Sequence, residues 1–230
     1  VWGGPNFPAD MEDQKFFMKK HSQVDVYVPI EGETGFSNVV ELALSSTSED
    51  ELHIKLSEKP IEGCITRDSK GDLQYNNPVI RTSKLDEIPS PYLTGIMDKF
   101  FDGKLTPMMQ TNRGCPFTCT FCVDGLDNVQ KVNQFSKERV KHELNYISQH
   151  VPKNTHSLHF SDLNFGMFPR DLEICDMINE TKEKYNYPTK VVTTTGKNKK
   201  DKIIEAIRRL DGAMSLSMSV QSMDEQVLQN

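Results

Sequence analysis

The stretch Arg113-Gly114-Cys115-Pro116-Phe117-Thr118-Cys119-Thr120-Phe121-Cys122 supplies three thiols from one short loop, spaced three and then two residues apart. A closed structural zinc site takes four ligands, and cubane iron–sulfur clusters are usually held by four cysteines. Three thiolates from a compact loop therefore leave one metal position open, where chemistry can occur. Gly114 permits a close backbone approach, and Pro116 stiffens the loop. Met108–Thr111 reads as a strand leading into it, so the loop is expected at the C-terminal end of that strand.

Downstream of the loop, strand and helix patterns alternate. A helix is expected from Ser136, with Val140, Leu144, Ile147 and Val151 on one face. Leu158–Ser161 reads as a second strand, followed by a helix over about 170–184. Val191–Thr195 reads as a third strand, and its helix carries Ile203, Ile204, Ile207 and Leu210. Met214–Gln221 reads as a fourth strand, with a further helix from Asp224. Strands separated by helical segments of this length indicate a parallel sheet or barrel. In the fourth strand Met214, Leu216, Met218 and Val220 alternate with Ser215, Ser217, Ser219 and Gln221. Strands covered by helices on both faces are normally apolar throughout, so this polar face implies a lumen that holds a polar ligand.

Upstream, residues 1–46 read as the tail of an α/β unit. They hold a strand ending at Gly3-Gly4-Pro5, a helix over about 9–20, and the apolar run Val24–Val28. A second helix follows, with Phe36, Val39, Val40, Ala43 and Leu44 on one face and Thr34 as its N-cap. Residues 45–56 are serine-rich and acidic, the composition of a solvated connector. Ile61–Arg67 and Leu73–Tyr75 flank a turn sequence and predict a small hairpin. Pro78, Pro89 and Pro91 then keep the chain extended to Leu93. The expected organisation is thus 1–46, a bridge over 47–103, and a strand–helix domain over 104–230.

The composition suits a globular protein, with 36% hydrophobic and 26% charged residues. The net charge of −6 argues against a dominant nucleic-acid surface. No apolar stretch has the length of a membrane span. Five cysteines, three of them clustered, do not form a secreted disulfide framework, and a reducing cytoplasm is the expected compartment. The chain opens on Val-Trp-Gly-Gly and closes on Leu228-Gln229-Asn230, which predicts an internal fragment of a longer protein. Cys64 and Cys175 have no cysteine or histidine at the paired spacing of zinc modules and are expected as small core residues. His159 is expected as a satisfied structural histidine.

The cysteine loop resembles that of the radical S-adenosylmethionine (radical SAM) enzymes, whose signature is Cys-x3-Cys-x2-Cys with an aromatic before the last cysteine; Phe121 fills that place. Asp162-Leu163-Asn164-Phe165, placed just after the second strand, is similar to the Asp-x-Asn-Phe element of the cobalamin-associated branch. Ser219-Val220-Gln221-Ser222 resembles that branch's Ser-x-Gln-Ser. Gly3-Gly4-Pro5 and Glu31-Gly32-Glu33 resemble the closing segments of its cobalamin-binding domain, and Leu85–Tyr92 resembles its linker.

The resemblance implies an α/β fold. The first four or so strand–helix units of a TIM-like radical SAM barrel would follow the C-terminal part of a Rossmann-like cobalamin-binding domain. It implies Cys115, Cys119 and Cys122 as ligands of a [4Fe–4S] cluster whose open iron chelates S-adenosylmethionine. Reductive cleavage would then give a 5′-deoxyadenosyl radical that abstracts substrate hydrogen. By the same resemblance Phe121, Asp162, Asn164, Ser219 and Gln221 contact that cofactor, and Gly3 and Gly4 serve a cobalamin site. The implied partners are a small-molecule substrate and a one-electron reductant such as flavodoxin or ferredoxin. Methylation at an unreactive carbon is the leading reaction. A tRNA methylthiotransferase and a non-enzymatic iron–sulfur carrier are the alternatives; the first carries further N-terminal cluster cysteines, and the second needs four protein ligands.

Overall fold

The computed structural model describes residues 1–4, 8, 10–75, 81–125, 127–196, 198–215 and 222–228. The chain forms two compact units, Val1–Ser83 and Lys84–Asn230.

The first unit holds a four-stranded sheet ordered β1-β2-β3-β4. Strands β1 (Trp2–Gly3) and β2 (Tyr27–Val28) are parallel, with helix α1 (Met11–Lys20) between them. Asp10 caps α1 by accepting from the Glu12 and Asp13 N–H groups, satisfying donors that a helix start leaves open. Helix α2 (Gly32–Leu44) follows β2, and α3 (Glu49–Glu58) follows α2. Strands β3 (Ile65–Arg67) and β4 (Leu73–Tyr75) form the expected hairpin, in register Thr66↔Gln74. β3 also pairs with β2, so the hairpin belongs to this sheet and not to a bridge.

Three upstream expectations are corrected. Residues 45–56 are not a connector: Ser48 caps α3 by accepting from Glu51 N–H at 3.2 Å, while the Glu51 carboxylate reaches back to Thr47 N–H at 2.7 Å. Those serine and acidic residues are a helix start. Thr34 lies inside α2, whose N-cap is Glu31. The buried face of α2 is Gly35 and Val39, whereas Phe36, Val40 and Leu44 are exposed. Gly35 decides this face, because a Cβ there would sit 2.3 Å from the Gly63 carbonyl oxygen. Only glycine allows that approach.

The second unit carries the strand–helix alternation. Its central sheet is ordered β5-β8-β9, with both pairings parallel. β5 is Met108–Met109, β8 is Ser157–Phe165 and β9 is Lys190–Thr195. Between β5 and β8 lie a two-stranded ribbon and helix α4 (Lys137–His150). The ribbon joins β6 (Asn112–Arg113) to β7 (Asn133–Gln134). Helix α5 (Pro169–Tyr185) connects β8 to β9. Helix α6 (Lys200–Arg209) follows β9, and α7 (Glu225–Leu228) ends the described chain. Val140, Leu144 and Ile147 of α4, with Ile174 and Ile178 of α5, pack in one core with Leu158 and Phe160 of β8. Burying each such side chain stabilises by roughly 1.5–3 kcal/mol. Met214 bridges Val191 in parallel, as a fourth strand requires; residues 216–221 of that expected strand lie outside the described residues. β8 is longer than expected, so Asp162 and Asn164 lie within its C-terminal end and not beyond it. No helix among the described residues is long and apolar enough to cross a membrane.

Candidate functional site

The cysteine loop is framed by its own ribbon. β6 enters it and β7 leaves it, with Arg113 paired to Asn133. The Cys115 N–H donates to the Val129 carbonyl at 3.1 Å, and the Cys122 N–H donates to the Cys119 carbonyl at 3.0 Å. Gly114 has φ +109°, and a Cβ there would sit 2.4 Å from the Lys131 carbonyl oxygen. No other residue type fits that turn without displacing the backbone. Gly125 plays the same role further on, where a Cβ would sit 2.5 Å from the Cys119 carbonyl oxygen.

Cys115, Cys119 and Cys122 are all partly exposed, and none is in a disulfide. Their thiols share one loop but are not gathered round one point. Among the described residues, no three His, Cys, Asp or Glu side chains are arranged to hold a metal. The donor set still suits an iron–sulfur cluster, since three accessible thiols on one loop are the chemistry such clusters take. Cys122 Sγ lies 3.9 Å from the Asp124 carboxylate, and Phe121 is exposed beside it.

Strand β8 brings two of the expected residues to the loop. The Asn164 side-chain amide donates to Cys115 Sγ at 3.3 Å. Asp162 turns its carboxylate to the base of the loop. It accepts from Thr111 N–H at 2.7 Å, the Thr111 hydroxyl, Asn112 N–H at 3.4 Å and the Asn112 amide at 3.0 Å. Burial pushes the Asp162 carboxyl above the usual carboxylate range, against the hydrogen bonds from Thr111. Thr111 and Asn112 are buried partners for which no local pattern is a signal. Gly3 and Gly4 belong to the first unit, where Gly3 pairs with Val28 and the Gly4 carbonyl accepts from the Tyr27 hydroxyl at 3.0 Å. Ser219 and Gln221 lie outside the described residues.

Asp171 was also not anticipated, although an acid at the third helical position is a recognisable N-terminal signal. Its Oδ2 accepts from Gly166 N–H and Phe168 N–H, both at 2.9 Å, closing the turn from β8 into α5. Its Oδ1 is buried without a partner. Burial raises the carboxyl to about 6. The folded value lies above that of an unfolded carboxyl, so the protonated form favours folding. That contribution is fully present below about pH 4 and lost as pH rises through about 6. Asp171→Asn is expected to flatten the dependence over this window. The stability difference between wild type and variant should move by on the order of 3 kcal/mol between the ends of this window, in the variant's favour at the higher pH, as measured by urea unfolding.

Residues 109–230 match the family model described as Radical SAM superfamily. Over its whole length the chain is 30% identical to 2-(S-pantetheinyl)-carbapenam-3-carboxylate methyltransferase of Streptantibioticus cattleyicolor. It is 28% identical, again over its whole length, to the cobalamin-dependent radical SAM methyltransferase TokK of Streptomyces tokunonensis. In each case the chain spans 33% of the relative. The structure of the radical S-adenosylmethionine methyltransferase TsrM from Kitasatospora setae, with cobalamin and a [4Fe-4S] cluster bound, is similar in fold. Its TM-score is 0.57 at 13% identity, over 90% of this chain and 40% of that one. The family match takes in the cysteine loop and more than half of the chain, and this protein therefore belongs to the radical SAM superfamily.

Proposed function

We propose that the chain is part of a radical SAM enzyme whose cluster is held by Cys115, Cys119 and Cys122, and whose overall reaction is cobalamin-dependent methyl transfer. The superfamily match over residues 109–230 carries the reading, because it spans the sheet, the loop and all three thiols. Cys115, Cys119 and Cys122 would hold a [4Fe–4S] cluster, which would supply one-electron reductive cleavage of S-adenosylmethionine.

The chain's own residues do the holding and orienting. The loop sits after β5, and sites of strand–helix folds gather in the loops after strands. Gly114 and Gly125 let the backbone fold tightly enough to present three thiols outward. Asn164 supports Cys115 directly, and Asp162 fixes the residues from which the loop departs. Phe121 offers an exposed aromatic face suited to an adenine ring.

In this reading the second unit opens a TIM-like barrel, an assignment supported by the parallel order β5-β8-β9 with intervening helices. The first unit is the closing part of a Rossmann-like cobalamin-binding domain, supported by parallel β1 and β2 around α1. Methyl transfer is supported by the two methyltransferase relatives. The substrate is a small molecule, the reductant a one-electron carrier such as flavodoxin or ferredoxin, and the compartment the cytoplasm.

The test is anaerobic reconstitution of the full-length protein with iron and sulfide, followed by dithionite and S-adenosylmethionine. Roughly four irons per cluster, 5′-deoxyadenosine production and retained cobalamin are expected. Stoichiometric zinc without iron overturns the reading.

A further inference from the structure

Strand β8 presents a graded buried face. Leu158, Phe160, Asp162 and Asn164 alternate along it and are all buried, while Ser157, His159, Ser161 and Leu163 are only partly so. The first two join the hydrophobic core. The last two are polar, and each is spent on the cysteine segment. Asp162 anchors the chain three residues before Cys115, and Asn164 reaches the Cys115 sulfur itself. The donor is therefore fixed to the sheet, and its acceptor is fixed to the same sheet through Thr111 and Asn112. That shared anchoring makes the 3.3 Å contact a property of the framework and not of a wandering loop.

We propose that Asn164 is a positioning residue that sets the reduction potential of the cluster through its hydrogen bond to Cys115. The inference rests on the reading that Cys115 is a cluster ligand. A ligating thiolate carries no proton, so in this pair the amide N–H must donate and the sulfur accept. Donation draws electron density from the sulfur and offsets part of the charge added on reduction. Hydrogen bonds to cluster sulfurs are among the levers that set such potentials, and partners of this kind also orient the ligand. The amide is buried, with its residue only 5% exposed, so water cannot readily replace it as donor when the side chain is removed. A hydrogen bond in such surroundings counts for more than one in bulk water. The effect runs in one direction: with the donor present, the reduced cluster is favoured.

The experiment is an EPR-monitored redox titration of the reconstituted full-length protein, comparing wild type with Asn164→Leu, Asn164→Asp and Asn164→Ser. Iron content is measured on each sample. Asn164→Leu is expected to keep its iron and to disfavour reduction about tenfold, a shift of ~59 mV to lower potential for a one-electron couple. Asn164→Asp, which places a carboxylate where the donor stood, should lower the potential at least as far. Asn164→Ser retains a hydroxyl donor and should recover part of the shift. Full iron with unchanged potentials in the leucine and aspartate variants overturns the proposal and leaves the cluster reading intact. Loss of iron from all three variants, with wild type loaded, also overturns it and makes Asn164 a residue of cluster retention. Wild type that binds no iron fails both.

Discussion

Alanine at Cys115, Cys119 or Cys122 in the full-length protein is expected to abolish iron retention after anaerobic reconstitution, each substitution alone sufficing. The three thiols come from one loop, and among the described residues no three other His, Cys, Asp or Glu side chains are arranged to hold a metal in their place. On the proposed assignment each cysteine is thus a third of the thiolate set, and the Asp124 carboxylate, 3.9 Å from Cys122 Sγ, is an oxygen donor and not a thiolate. Cys64 and Cys175 are the natural controls. Both are buried in hydrophobic cores, and burial pushes their thiols up to about 11 and about 12. A ligand must be a thiolate, and a thiol held that far above neutrality does not supply one. Cys64→Ala and Cys175→Ala should therefore cost folding stability, as a small core truncation does, while iron per folded chain stays at the wild-type value. Iron analysis and the cluster absorbance read both groups. Full iron in any one of the three loop variants would remove that residue from the ligand set.

The cysteine loop and the alternation around it were legible in the sequence because both are local. A Cys-x3-Cys-x2-Cys spacing is read within eight residues, and the faces of α4 and α5 repeat within a few turns. β8 shows where local pattern stops. Its apolar half, Leu158 and Phe160, reads as a strand, but Asp162 and Asn164 look like a turn. They continue the strand because their partners, Thr111, Asn112 and Cys115, sit about fifty residues earlier in the sequence. No periodicity encodes a pairing at that separation. α2 fails for a related reason: its apolar stripe was legible, but the choice of buried face depends on Gly35 meeting the backbone of Gly63. In α3 the signal was present, as a serine three residues before a glutamate, and composition outweighed it.

Asp162→Ala is expected to be the most damaging substitution outside the cysteines, and the reason lies in what it leaves behind. The carboxylate serves the Thr111 and Asn112 backbone N–H groups, the Thr111 hydroxyl and the Asn112 amide, all on buried residues. Removing it strands those donors that have no second partner, at about 1–3 kcal/mol for each, while the Asn112 amide keeps its bond to the Thr111 hydroxyl at 3.2 Å. The carboxyl's own burial is unfavourable, as its raised pKa shows, and alanine relieves that cost. The net loss should accordingly fall below the sum, at about 2–4 kcal/mol. Asp162→Asn keeps one acceptor oxygen and the volume, so it should lose less, although its new amide must find an acceptor in a site built of donors. The damage should also be local. Hydrogen exchange at Thr111 and Asn112 should accelerate in the alanine variant far more than exchange in the middle of α5, where Ile174 and Ile178 are held by the hydrophobic core. Iron retention should fall with it, since the loop departs from those two residues. If exchange at Thr111 and Asn112 is unchanged while the protein unfolds at lower urea, Asp162 serves the core in general and not the cysteine loop. If exchange accelerates yet iron is retained in full, the loop holds its shape through β6 and β7 alone. The two measurements together separate an anchor of the loop from a buried carboxylate that merely happens to lie beneath it.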